Sequence, residues 1–233
     1  MFVRNVDGSP AVPIGEGYGL AISPDENWAL AQKLTLPTNE VWLLPVGPGE
    51  GRRINPPDLA PLVDANFLSD GKRVVYVAQE KGKRPRTWLY DLTSGRGHPI
   101  TAEGTVGGMV SPDDTMLLGF SDAEYLQRDD PVLVPIGGGS TRKIAGLETG
   151  DNVLGWSSDG QLYVEATGWE TSVAVAVEKL NPYTGARKPW RDLAKPTIGG
   201  VTPLRPRLAP DGASYFFDYR LTIADFYTVS GVR

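Results

Sequence analysis

An all-β fold of short antiparallel strands, arranged as the four-stranded blades of a β-propeller, is what this sequence predicts, and three observations predict it. A turn marker recurs five times: Ile22-Ser23-Pro24-Asp25, Leu68-Ser69-Asp70-Gly71, Val110-Ser111-Pro112-Asp113, Trp156-Ser157-Ser158-Asp159-Gly160 and Leu208-Ala209-Pro210-Asp211-Gly212. Counted from Ser23, Ser69, Ser111, Ser157 and Ala209, the copies stand 46, 42, 46 and 52 residues apart, the length of one propeller blade. Between the markers lie short apolar runs with no 3.6-residue periodicity, and the 28 Gly and 20 Pro fall between those runs as punctuation. About five blades are expected in this chain. The parent ring has six or more if this one is incomplete.

Taken in order, Phe2-Val3-Arg4-Asn5-Val6 and Ala11-Val12-Pro13-Ile14 flank Asp7-Gly8 as a hairpin. No marker precedes them, so residues 1–17 read as the remnant of a unit, or as strands that close the last one. The first whole blade, about 18–55, places strands at Gly19-Leu20-Ala21-Ile22, Trp28-Ala29-Leu30-Ala31, Val41-Trp42-Leu43-Leu44-Pro45-Val46 and up to Arg53-Ile54. The second, about 64–102, ends at His98-Pro99-Ile100. The third, about 107–145, turns at Gly137-Gly138-Gly139, and the fourth, about 152–191, ends at Arg187-Lys188-Pro189-Trp190. A Pro-containing connection from Asp192 to Pro206 then leads to the fifth, about 203–233, which has three strands, the last at Asp225-Phe226-Tyr227-Thr228-Val229.

The marker has a physical logic. Proline pre-sets φ for the turn, Asp and Ser side chains bond nearby backbone N–H groups, and Gly takes the left-handed position. Asp25, Asp70, Asp113, Asp159 and Asp211 therefore read as turn builders, because an acid repeated in every unit is architecture.

Composition narrows the function. A net charge of -5 and a pI near 5.0 argue against a nucleic-acid partner, which needs clustered Lys and Arg. There is no cysteine, which removes disulfides and thiolate metal sites. Neither an apolar run of signal-peptide type at the N-terminus nor a membrane-spanning stretch is present.

Candidate chemistry is sparse. His98 is the sole histidine and reads as a solvated residue at a blade edge. No Gly-x-Ser-x-Gly elbow occurs. Gly15-Glu16-Gly17-Tyr18-Gly19 and Gly137-Gly138-Gly139-Ser140-Thr141 lack the lysine of a phosphate loop. The acids Asp122, Glu124, Asp129 and Asp130 lack the oxygen spacing of a calcium loop. No catalytic, cofactor or metal residue is assigned, and no cofactor is expected. Of the six tryptophans, Trp28, Trp42, Trp88 and Trp156 fall within strands and read as packing. Trp169, in the loop Thr167-Gly168-Trp169-Glu170, is the candidate partner contact.

The marker series, the opening Val3-Arg4-Asn5-Val6-Asp7-Gly8-Ser9-Pro10-Ala11-Val12-Pro13-Ile14-Gly15-Glu16-Gly17 and the ending from Leu208 to Arg233 resemble TolB-like WD40 (PD40) propellers. More narrowly, they are similar to the C-terminal propeller of bacterial eukaryotic-like serine/threonine protein kinases of acidobacterial type. The chain departs from the pattern where Glu26 and Asp114 replace the turn glycine, where Leu68 precedes a Pro-less Ser-Asp-Gly, and where Ser158 stands for Pro. It has no His-Arg-Asp and no Asp-Phe-Gly, so no phosphotransfer residue carries over. The resemblance implies a non-catalytic module that binds a protein or small molecule on a propeller face. It would be extracytoplasmic if part of a membrane-anchored kinase and cytoplasmic if free-standing. The alternatives are the accessory propeller of a prolyl-oligopeptidase-like hydrolase and a TolB-like periplasmic assembly protein.

Overall fold

The computed structural model describes residues 1–5, 7–35, 39–56, 58–121, 131–165, 174–194 and 201–221. All regular structure among them is β, and the chain divides into two units, Met1–Ile144 and Ala145–Arg233.

In the first unit, β1 (Phe2–Val3) and β2 (Val12–Pro13) pair as a two-stranded sheet. Three four-stranded sheets follow. They are β3 (Tyr18–Ile22), β4 (Trp28–Lys33), β5 (Glu40–Pro45) and β6 (Arg52–Arg53); β7 (Leu59–Phe67), β8 (Arg73–Glu80), β9 (Arg86–Asp91) and β10 (Arg96–Pro99); and β11 (Thr105–Val110), β12 (Met116–Ser121), β13 (Pro131–Pro135) and β14 (Arg142–Lys143). The second unit holds one more such sheet, β15 (Asn152–Trp156), β16 (Leu162–Glu165), β17 (Ala174–Leu180) and β18 (Arg187–Ala194). It also holds the pair β19 (Val201–Leu208) and β20 (Tyr215–Leu221). Every pairing is antiparallel, and each four-stranded sheet keeps chain order in space, the meander of a propeller blade.

Pairing lengthens β18 and β19 at the expense of the connection expected over 192–206: Ala174 faces Ala194, and Val201 faces Leu221. The strand expected at 225–229 lies outside the described residues.

Each blade is built the same way. The first strand carries a register shift against the second in all five units, as between Gly19 and Ala21 or Val106 and Met109, and such a bulge adds the local twist that a blade needs. The second strand is the most buried: Leu30, Val74, Val75, Tyr76, Val77, Leu117, Leu118 and Leu162 are closed to solvent. Each leucine so buried contributes about 1.5–3 kcal/mol. Side chains from consecutive blades meet there, with Leu30, Val41 and Leu43 packing against Phe67, Val74 and Tyr76, and Leu68 and Val75 against Leu117, Val132 and Val134.

In the first three blades the outermost strand is an exposed edge, and it is defended. Strands β6 and β14 have only two residues, all Arg or Lys, and Pro99 removes an N–H donor from β10. Short, cationic and proline-bearing edges resist pairing with other chains.

Candidate functional site

The marker turns bring the blades into contact along one face of the first unit. In the first marker Ser23 N–H donates to the Trp28 carbonyl at 2.8 Å, Ser23 Oγ donates to Asp25 at 2.5 Å, and Trp28 N–H donates to Ser23 Oγ at 2.9 Å. Ser111, Asp113 and Met116 repeat this at 2.8, 2.6 and 2.9 Å. The serine hydroxyls hold the Asp25 and Asp113 carboxyls below the usual range. In the other markers the acid also serves the turn: Asp70 accepts from Lys72 N–H and Arg73 N–H, Asp159 from Gln161 N–H, and Asp211 from Ala213 N–H.

The second marker is shifted by one residue from its reading in the sequence. Leu68 N–H donates to the Arg73 carbonyl at 2.9 Å, the bond that Ser23 and Ser111 make. Leu68 therefore fills the serine place, and Ser69 fills the proline place.

The fourth marker position takes a left-handed conformation in every copy. Glycine fills it at Gly71, Gly160 and Gly212, but Glu26 and Asp114 adopt φ of 59° and 58°. Asp114 uses that strained position to reach the preceding blade. Its carboxylate accepts from Ser69 N–H at 3.0 and 3.1 Å and from Ser69 Oγ at 2.6 Å, and it stands 3.9 Å from Arg73 Nη2. Arg73 Nε donates to Asp70 at 2.6 Å.

Beside this contact a groove of about 780 Å³ opens between the second and third blades. Leu89, Ile100, Met116 and Ile136 supply apolar surface, Arg73, His98, Asp114 and Thr115 supply polar groups, and Gly137 and Gly138 leave one side low. Its size and its mixture of apolar surface with a few polar groups are those of a ligand site.

Around the groove three positions differ from their counterparts one blade earlier. Pairing of Arg52 with Leu43, His98 with Leu89 and Arg142 with Leu133 makes these three side chains equivalent. Val46, Leu92 and Ile136 are equivalent too, each donating its N–H to the carbonyl of Asn27, Lys72 or Thr115. Between the first and second blades Arg52 Nη2 spans the gap and donates to the Leu92 carbonyl at 3.0 Å. One blade on, the shorter His98 replaces Arg52. Gly137 and Gly138 replace Thr93 and Ser94, and a Cβ at either glycine would meet nothing within 4 Å. Asp114 replaces Gly71 and adds a carboxylate.

His98 is thus exposed on an outer strand, as the sequence suggested, yet it lines the groove. Trp28 and Trp88 pack against the core between the first two blades. Trp169 and the acids from Asp122 to Asp130 lie outside the described residues. Among the described residues no group of three or more His, Asp or Glu could hold a metal ion, and no helix is long and apolar enough to cross a membrane.

Sequence reasoning missed a buried polar lock in the blade-to-blade linkers. Asn55 Oδ1 accepts from Val41 N–H at 2.8 Å while its Nδ2 donates to the Leu59 carbonyl at 3.0 Å. In the next blade Thr101 Oγ1 accepts from Thr87 N–H at 2.8 Å and donates to the Thr105 carbonyl at 2.6 Å. Each member lies 46 residues beyond its counterpart, which is the signal that could have revealed it.

No family model matches the chain, and no curated protein matches it. Solved structures do. TolB from Acinetobacter baumannii superposes with a TM-score of 0.61 at 17% identity, over 91% of this chain and 57% of its own. An oligogalacturonate lyase from Vibrio parahaemolyticus gives 0.64 at 16%, over 91% and 62%. The β-propeller domain of the Trilobed protease from Pyrococcus furiosus, described as having an open velcro topology, gives 0.51 at 12%, over 89% and 77%. The chain thus spans 57% and 62% of the TolB and lyase chains. At these identities the likeness establishes architecture: the fold is a β-propeller, and its structural neighbours include TolB-like proteins and enzymes.

Proposed function

We propose that this chain is a non-catalytic binding propeller, the ligand- or protein-recognition region of a bacterial serine/threonine protein kinase. The observation that carries the binding reading is the groove between the second and third blades, where the repeat is altered at His98, Asp114 and Gly137-Gly138. A rigid stack of blades presents such a site without needing a reaction centre. The kinase association rests on the opening and closing segments that resemble kinase-borne propellers. Trp169 is proposed as a second partner contact, and the compartment follows the parent: extracytoplasmic with a membrane-anchored kinase, cytoplasmic without one.

The experiment has two arms. Reading the DNA upstream of the Met1 codon tests the kinase association: an open frame running into a catalytic loop supports it, and an in-frame stop with a separate ribosome-binding site overturns it. Incubating the purified chain with a panel of ester, peptide and oligogalacturonate substrates tests the non-catalytic reading, which sustained turnover overturns. A second reading, the accessory propeller of a hydrolase, is favoured by the likeness to the Trilobed protease propeller, and a hydrolase domain in the same frame would select it.

A further inference from the structure

We propose that the groove between the second and third blades recognises a guanidinium group, presented as an arginine side chain within a short apolar segment of a partner. The inference rests on the binding reading and deepens it. Its warrant is internal: the chain already contains the contact that it predicts. Between the first and second blades the gap is bridged by a guanidinium, with Arg52 Nη2 donating to the Leu92 carbonyl at 3.0 Å. Between the second and third blades the Ile136 carbonyl stands in the place of the Leu92 carbonyl, as the shared bonds to Lys72 and Thr115 establish. His98 stands in the place of Arg52. The acceptor site is repeated and the donor is not.

Two further features favour a cation with apolar flanks. Asp114 introduces a carboxylate where the preceding blade has Gly71, and both are fixed by the same left-handed turn position. The charged side chains lining the groove are Arg73 and Asp114; Arg73 donates to Asp70 at 2.6 Å, stands 3.9 Å from Asp114 and faces Asp91 across the strand pair, so the acids around it outnumber this one cation. A guanidinium suits this setting because it donates several hydrogen bonds in a plane and is weakly hydrated for its charge. Leu89, Ile100, Met116 and Ile136 offer apolar surface to the residues beside it, and the open space over Gly137 and Gly138 admits a peptide backbone.

The test titrates the whole chain with the tripeptide acetyl-Ile-Arg-Ile-amide, following the backbone amides of His98, Ile100, Ile136, Gly137 and Gly138 by NMR. The isosteric but uncharged citrulline tripeptide serves as comparison. Binding is expected at those amides, weakened about tenfold or more by citrulline, the scale of one charge-assisted hydrogen bond. The variant His98→Arg restores the internal guanidinium. It is expected to abolish tripeptide binding and to raise the melting temperature, which shows that the variant is folded. Equal binding of the arginine and citrulline peptides, or tripeptide binding undiminished in a folded His98→Arg chain, overturns the guanidinium assignment while leaving a ligand groove. No response of the groove amides to either peptide also overturns it. The non-catalytic reading fails separately, in the turnover assay.

Discussion

Glu26 and Asp114 occupy the same strained turn position, yet replacing each by glycine is expected to change stability in opposite directions. At φ of 59° and 58° a side chain costs about 1–2 kcal/mol relative to glycine. Glycine returns about 0.5–1 kcal/mol of that through the greater freedom of the unfolded chain. Glu26 is exposed and its carboxylate makes no hydrogen bond among the described residues, so Glu26→Gly is expected to stabilise by roughly 0.5–1 kcal/mol. Asp114→Gly gains the same relief but loses the bonds to Ser69 N–H and Ser69 Oγ at 3.0 and 2.6 Å. Hydrogen bonds to a charged acceptor contribute about 1.5–3 kcal/mol each. The Asp114 side chain is only 15% exposed, but Ser69 can turn to water when released, so the net expectation is a loss of about 1–2 kcal/mol. Equilibrium urea unfolding of the single variants and the double variant checks this. Asp114→Asn, which tolerates the left-handed position and keeps one acceptor oxygen, should fall between wild type and glycine. If Asp114→Gly stabilises as much as Glu26→Gly, the contact between the second and third blades carries no energy and the reasoning is refuted.

Three further outcomes are expected. Thr101→Val strands the Thr87 N–H and the Thr105 carbonyl inside the protein and should cost about 2 kcal/mol or more; Thr101→Ser should cost little, and hydrogen exchange at the Thr87 amide separates the two. Gly212→Ala forces a Cβ to within 2.6 Å of Tyr163 Oη and 2.7 Å of the Trp190 ring at a φ of 70°. It should destabilise the second unit by about 2 kcal/mol and alter its near-ultraviolet circular dichroism, whereas Gly82→Ala, with open space around it, should pay only for its backbone. The Lys179 ammonium, 2.7 Å away, holds the Asp159 carboxyl down to about 2 from an ordinary 3.8. Because the folded value is the lower one, the stabilisation is full above the unfolded value and fades as pH falls from about 4 towards 2. Carbon-13 titration of Asp159 should show its midpoint rising in Lys179→Met, and an unchanged midpoint would remove Lys179 as the cause.

Much of the fold was legible because a repeat states each structural requirement several times. Strand order within the blades and the turn role of the marker aspartates could be read from spacing and turn chemistry alone. What could not be read depended on register or on long-range pairing. The place of Leu68 emerged only from its bond to Arg73, because a missing proline lets Ser69 imitate the serine of the other copies. Asn55 and Thr101 share a task without sharing a chemical type, so a search for repeated residues passes over them. The reach of β18 and β19 into the connection expected over 192–206 was hidden because proline there argues against a strand, yet β19 carries Pro203 and Pro206 on either side of its register shift.

The same contrast explains where function is to be sought. A residue that recurs in every blade answers to the blade, as Asp25, Asp70 and Asp113 do through their turn bonds. Only a departure from the repeat is free to answer to something else, and departures that coincide in space are harder to attribute to drift. Three coincide at the groove: histidine where the preceding blade has a bridging arginine, glycines where it has Thr93 and Ser94, and a strained aspartate where it has Gly71. Each change taken alone reads as a loop variant, and in a linear sequence they sit at 98, 114 and 137–138 with nothing to connect them. Superposing one blade on the next connects them, since all three changes bear on the single gap that Arg52 fills one blade earlier. An arginine introduced at position 98 is therefore the sharpest probe of the site, because it asks whether the gap was left open by loss of a contact or kept open for a ligand. Simple loss predicts a more stable protein and no tripeptide binding either before or after the change, whereas a site kept open predicts a more stable protein that loses the binding the unaltered chain shows.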